Sequence, residues 1–206
     1  MSDKNVSIQT LRRLPVYLHY LKSLGGAVPS VSATVIAEAL GLNDVQVRKD
    51  LGSVSCSGRP KKGYVTAELI EELEDYLGCN SATPAVLIGA GNLGRALLSY
   101  GGFSDYGLEI VAAFDRSESV VGSAAGGKIV LPLSDLGRVC EHKRVQLGIL
   151  TVPASEAQKA ADQLVGHGIK AIWNFAPTVL KVPFGVLVEN ENLASSLAVL
   201  SKHLSE

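Results

Sequence analysis

The hydrophobic positions of this chain follow two periods. As far as about residue 77 apolar side chains recur every three or four residues, and from residue 85 short apolar runs alternate with helical patterns. Ile8, Leu11, Leu14, Leu18, Leu21 and Leu24 predict an amphipathic helix over residues 7–24, ended by Gly25 and Gly26, with Pro15 expected to kink or restart it. Ser32 is placed to cap a short second helix whose inner face is Ile36, Ala37 and Leu40 and which Gly41 closes. Asn43 caps a third, from Asp44 to Leu51 or a little beyond, with Val47 and Leu51 turned inward. Residues 53–65 are polar and bounded by glycine and read as a hairpin. Residues 66–78 form an acidic amphipathic helix, and residues 80–84 a turn-rich linker.

The second half reads differently. Apolar segments at 86–88, 109–114, 128–131, 146–152, 171–174 and 186–189 are spaced by helical stretches that include 134–142 and 155–167. That alternation predicts a doubly wound parallel sheet of the α/β class. A last helix over 192–204 carries Leu193, Leu197, Leu200 and Leu204 as an apolar stripe. The chain therefore divides into residues 1–80, residues 81–190 and a C-terminal helix at 191–206.

Charge changes the picture of the first segment. Net charge is only −1, yet residues 1–64 hold nine basic against four acidic side chains, while 65–80 hold five acids and no base. A helix, a short glycine-containing turn and a second helix make a helix-turn-helix, and the hairpin after it reads as a wing. Gln46 and Lys49 project outward from the third helix with Arg48 on its flank. With Arg12 and the hairpin's Arg59, Lys61, Lys62 and Tyr64 they are the candidate DNA-facing residues. Tyr64 has a second reading, as a core ring at the base of the wing, and Lys22 reads as an ordinary solvated cation.

Residues 86–96 carry the sharpest chemistry. A buried strand runs into Gly89, Ala90, Gly91, Asn92, Leu93 and Gly94, the GxGxxG spacing that binds a dinucleotide. Gly89 permits the turn, Gly91 lets backbone approach a pyrophosphate, and Gly94 lets the helix pack close. Asp115 ends the next strand where a ribose-binding carboxylate belongs, followed by Arg116, and it favours NAD over NADP. Thr151, Val152 and Pro153, and then Asn174 and Phe175, follow the carboxyl ends of later strands, where ligands bind in such sheets.

No apolar run reaches the roughly 18 residues of a membrane span, and the polar N-terminus lacks a signal peptide's apolar core, so a cytoplasmic protein is expected. Cys56, Cys79 and Cys140 have no metal-ligand spacing and read as reduced thiols. An NAD-dependent oxidoreductase or a CoA-binding enzyme domain is the alternative. Against it, none of His19, His142, His167 and His203 falls in a strand-end loop beside the glycine turn, and little chain remains for a substrate domain.

The order of these motifs resembles the Rex family of redox-sensing transcriptional repressors, a winged helix followed by a Rossmann domain. The resemblance rests on residues 13–17 (RLPVY), 45–51 (VQVRKDL), 89–97 (GAGNLGRAL), 100–103 (YGGF) and 174–177 (NFAP), and spans essentially the whole chain. It implies a homodimer that binds a palindromic operator when NADH is low and is released by NADH, with NADH and NAD+ as cofactors. It implies that Gln46, Arg48 and Lys49 touch the operator with the wing alongside, that Tyr100 lies near the nicotinamide, and that Asp115 holds the adenosine ribose. The C-terminal helix would be swapped onto the partner subunit. Two positions depart from the family pattern: residues 53–58 (SVSCSG) replace a Phe-Gly-x-Phe-Gly-type run, and Asn192 stands where an aspartate is usual.

Overall fold

The computed structural model describes residues 6–59 and 62–204, apart from the side chains of Leu193, Ser196 and Val199. It divides into two compact units, residues 1–81 and 82–206.

In the first unit α1 (Ile8–Ser23) starts at Ser7, whose hydroxyl accepts from the Thr10 N–H, and buries Thr10, Leu14, Tyr17, Leu18 and Leu21. Pro15 does not interrupt it. The carbonyl that loses its partner to Pro15 belongs to exposed Leu11, where water can satisfy it. A two-residue strand β1 (Ser30–Val31) leads to α2 (Ala33–Leu40), capped by Ser32 and closed by Gly41 in the left-handed region. α3 (Asp44–Val54) is capped by Asn43, which accepts from the Val45 and Gln46 N–H groups. β2 (Tyr64–Val65) and α4 (Thr66–Leu77) complete the unit around a core that includes Leu14, Leu18, Ile36, Val47, Leu51, Leu69 and Leu73.

The wing differs from the expected hairpin. α3 runs on through Val54, and β2 pairs antiparallel with β1 rather than with the residues after α3. Among the described residues the hairpin itself holds only the Arg59–Gly63 bridge. Side-chain bonds replace a ladder before it: the Ser57 hydroxyl donates to Glu72 at 2.7 Å and the Cys56 N–H at 3.3 Å.

The second unit is built on β3 (Thr83–Ile88), α5 (Asn92–Leu98), β4 (Leu108–Asp115), β5 (Ala124–Ala125), β6 (Lys128–Pro132), α6 (Leu136–Lys143), β7 (Leu147–Leu150), α7 (Ala154–Gly166), β8 (Ala171–Asn174), β9 (Leu187–Asn190) and α8 (Leu193–His203). The sheet order is β5-β6-β4-β3-β7-β8-β9. Every pairing is parallel except β5 with β6, so a short antiparallel edge corrects the all-parallel expectation. Thr83 and Pro84 belong to β3 rather than to a linker. Pro84 can sit there because it is the strand's second residue, paired with Glu109 before the β7 ladder begins at Ala85.

Alternation along β3 explains the layering. Ala85 and Leu87 face one side, with α5 and Phe103, while Val86 and Ile88 face the other, with α6 and α7. The order of winding, outward through β4 and then back through β7, reverses between the parallel neighbours β3 and β7, which leaves a crevice at their carboxyl ends. Asn192 caps α8, accepting from the Ala194 and Ser195 N–H groups, an acceptor role an aspartate would fill equally.

Candidate functional site

The crevice at the strand reversal is lined by glycine backbone for steric reasons. Gly89 has φ +104°, and a Cβ there would lie 2.8 Å from the Thr151 carbonyl oxygen. A Cβ at Gly94 would overlap the Gly89 carbonyl oxygen, whereas one at Gly91 would meet open space. Gly89 and Gly94 thus close the turn onto α5, and Gly91 leaves its backbone bare. The Thr151 hydroxyl donates to the Gly89 carbonyl at 2.6 Å and ties the end of β7 to the turn.

Asp115 reaches the same turn from β4. Its carboxylate accepts the Ala90 N–H at 2.8 Å and the Ser117 N–H at 2.9 Å, and each oxygen keeps a lone pair for a further donor. Arg95 clamps the turn from behind, donating to the Ala90 carbonyl, the Ala124 carbonyl and the Ser123 hydroxyl. The cleft, about 230 Å³, brings together Gly89, Gly91, Asp115, Arg116, Thr151, Val152 and Pro153. Ala90, Asn92, Leu93 and Gly94 form the turn and helix start beside it.

Sequence reasoning missed Leu133 and the α7 residues Glu156, Lys159 and Gln163, which wall the same cleft. Their spacing of three and four was a usable signal, because it places them on one edge of a helix whose inner face is alanine. Arg116 is engaged by this wall through a 2.7 Å ion pair with Glu156.

Tyr100, Asn174 and Phe175 do not line the cleft. Tyr100 packs edge-on against Phe103 at 4.9 Å, Phe103 meets Trp173 at 5.6 Å, and Trp173 meets Phe175 at 4.7 Å. This aromatic row lies on the α5 side of the sheet, ending in exposed Tyr100. Asn174 is fully buried: its amide donates to the Ala176 and Thr178 carbonyls and to Asn190, and its carbonyl accepts from the Ala176 N–H. Its side chain shapes the loop from within, with its NH2 fully engaged by that loop and Asn190.

In the first unit α3 presents Gln46, Arg48 and Lys49 to solvent. Arg48 pairs with Asp44 at 3.1 Å on its own helix. Arg12, Arg59 and Lys62 are also exposed, and Lys61 lies outside the described residues. Tyr64 is 8% exposed with its ring in the core, so the core reading of the ring holds.

Asp50, overlooked in the sequence, is the hub of this face. Although only 1% exposed, it accepts from Arg13 Nε at 2.6 Å, Tyr17 at 2.9 Å, Thr10 at 3.1 Å and Gln46 Nε2 at 2.8 Å. Burial pushes its carboxyl up, but the bonds from Arg13, Tyr17, Gln46 and Thr10 outweigh burial and hold it below the usual carboxylate range. Burial, reinforced by Asp50, pushes the Tyr17 hydroxyl up to about 12. A carboxylate only accepts, so the Gln46 NH2 must face Asp50 and its carbonyl oxygen turns outward. The signal was present: position 50 lies on the inward stripe with Val47 and Leu51, where an acid requires partners.

Comparison with known proteins agrees with both halves. Residues 5–52 match the family described as putative DNA-binding protein N-terminus, and residues 80–178 match the CoA binding domain family. The redox-sensing transcriptional repressor Rex of Porphyromonas gingivalis is 44% identical over 199 residues, covering 96% of this chain and 91% of that protein. A crystal structure of RSP in complex with β-NAD+ and operator DNA superposes with TM-score 0.90 at 36% identity, covering 97% of this chain and 92% of that one. RSP in complex with β-NADH gives TM-score 0.87 at 35% identity, covering 97% and 94%.

Proposed function

The chain belongs to the Rex family of redox-sensing transcriptional repressors, and from that premise we propose that it is a homodimeric repressor whose hold on operator DNA follows the NADH/NAD+ balance. It is a regulator and not an enzyme. The observation that carries the reading is the joining in one chain of a winged-helix unit with an outward basic face to a glycine-turn cleft at a strand reversal. The CoA binding domain match covers only the second unit, whereas the Rex relatives match along the whole length.

In this reading NADH and NAD+ are the cofactors, and they supply a redox state to be sensed rather than a reaction to be run. Bare backbone at Gly91 and the start of α5 take the pyrophosphate, and Asp115 accepts from the ribose 2′-hydroxyl, which NADP carries as a phosphate. Val152 and Pro153 bound the cleft on the β7 side, while Tyr100 and Phe175 present the aromatic row to the nicotinamide end. Asn174 supports that row by holding its loop.

On the DNA side Gln46, Arg48 and Lys49 face a major groove, and Arg12, Arg59, Lys61 and Lys62 meet the backbone beside it. Two copies dimerised through α8 present two such helices to a palindrome. Release then requires the cleft to bind NADH more tightly in the subunit arrangement whose helices are wrongly spaced, with a coupling of about 1–3 kcal/mol. The site of action is the cytoplasm, where operator and nucleotide pool meet.

The test is fluorescence anisotropy of a palindromic duplex, selected by the protein from a randomised pool, at fixed salt with NADH, NAD+ or neither. Release by NADH and not by NAD+ is expected. Binding indifferent to both would leave a DNA-binding protein and remove the redox reading.

A further inference from the structure

The cleft holds a cation for which the NAD reading has no use. Arg116 follows Asp115 directly at the end of β4, and both residues line the cleft. In Rossmann sites an acid at this point takes the ribose 2′-hydroxyl, whereas a nearby arginine accommodates a 2′-phosphate. The two neighbours therefore favour different dinucleotides, Asp115 the one with a free hydroxyl and Arg116 the one with a phosphate.

A partner on α7 resolves the conflict. Arg116 Nη1 lies 2.7 Å from Glu156 Oε2, an ion pair that reaches from the end of β4 to the first turn of α7. Glu156 is the more enclosed member, 27% exposed against 66% for Arg116, so the acid is the anchor and the arginine is the arm that it holds. The first turn of a helix favours a carboxylate, which fixes Glu156 there whether or not a ligand is bound. The charged side chains that line the cleft then cancel, Asp115 and Glu156 against Arg116 and Lys159. A 2′-phosphate at this end meets the Asp115 carboxylate, an arginine that is already paired, and the second carboxylate that pairs it. Like charges set against one another in this way select against the wrong ligand.

We propose that Glu156 is a specificity-determining residue, which by holding Arg116 withholds from a 2′-phosphate the cation that stands next to the ribose carboxylate. It acts through Arg116 and is a positioning residue. The proposal rests on the NADH/NAD+ reading above and deepens it. Asp115 by itself repels the phosphate but leaves an arginine beside it to offset that repulsion, and Glu156 removes the offset.

The experiment titrates the full chain with NADH and with NADPH, without DNA, and follows the emission of the bound reduced nicotinamide. The quantity read is the ratio of the two dissociation constants, which in the wild type favours NADH. Glu156→Gln keeps the size of the side chain and removes its charge. It should move the ratio towards NADPH by about fivefold, the upper range for an exposed ion pair. Adding Arg116→Ala to Glu156→Gln should return the ratio to the wild-type value, because the freed arginine is what takes the phosphate. A ratio that Glu156→Gln leaves in place overturns the proposal. So does a double variant that keeps the whole gain, since the gain would then come from the lost carboxylate alone. A wild type that binds NADPH as tightly as NADH overturns it as well, because Arg116 would not be withheld. A wild type that binds neither nucleotide would instead sink the cofactor reading, and this assignment with it.

Discussion

Asp50 joins two helices whose sequences are distant, since its partners Thr10, Arg13 and Tyr17 lie 33 to 40 residues away. Removing one member of a buried charged pair strands the other, so Asp50→Ala should cost about 3 kcal/mol, read as a fall in the denaturation midpoint. The same hub predicts a pH dependence. Tyr17 ionises near 10 when unfolded and near 12 in the fold, so above pH 10 the unfolded chain holds fewer protons. Stability from that retained proton is complete below pH 10 and is lost as pH climbs towards about 12. Denaturation of wild type and Tyr17→Phe across this window should show the steeper fall in the wild type. In the cleft, Gly91→Asp puts a carboxylate where the cofactor's pyrophosphate belongs. NADH binding should weaken by about 3 kcal/mol, at least roughly a hundredfold, while operator binding is unchanged. Operator release by NADH that persisted in this variant would contradict the assigned turn.

At the scale of elements, α3 separates its duties by face. Val47, Asp50 and Leu51 point inward, and Gln46, Arg48 and Lys49 point outward. Lys49→Ala should therefore leave folding alone, weaken operator binding, and reduce the slope of log affinity against log salt by about one. An unchanged slope would take Lys49 off the phosphates. Helix positions were legible from the sequence because caps and apolar spacing are local: Ser32, Gly41, Asn43 and Gly78 all stand where the chain pattern puts them. The wing was less legible. β1 and β2 are two residues each and are defined by pairing with one another across the 32 positions between them, which no local pattern reports.

For the whole molecule, α8 carries a stripe of exposed leucines among the described residues. Leu197, Leu200 and Leu204 are 64%, 60% and 86% exposed and lie three and four residues apart, on one face. At about 2 kcal/mol for each leucine covered, docking on a second copy would contribute about 4–6 kcal/mol, roughly a thousandfold to ten-thousandfold in dimer affinity. Deleting residues 192–206 should thus shift sedimentation from dimer to monomer at micromolar concentration. A stable dimer of the truncated chain would place the interface elsewhere.

The sequence by itself determined whatever rests on near neighbours: the two hydrophobic periods, the helix ends, the glycine turn with Asp115 after it, and the outward charge of α3. These follow from backbone sterics and repeat spacing within a few residues. Only the tertiary structure decided the rest. It turned the edge strand β5 antiparallel, separated Tyr100 and Phe175 from the cleft, committed the Asn174 side chain to its own loop, and gathered four donors on Asp50. It also put the Tyr64 ring in the core. Each of these depends on which distant segments meet when apolar surface is buried, because the partners a buried polar group needs are supplied by whichever segments pack beside it.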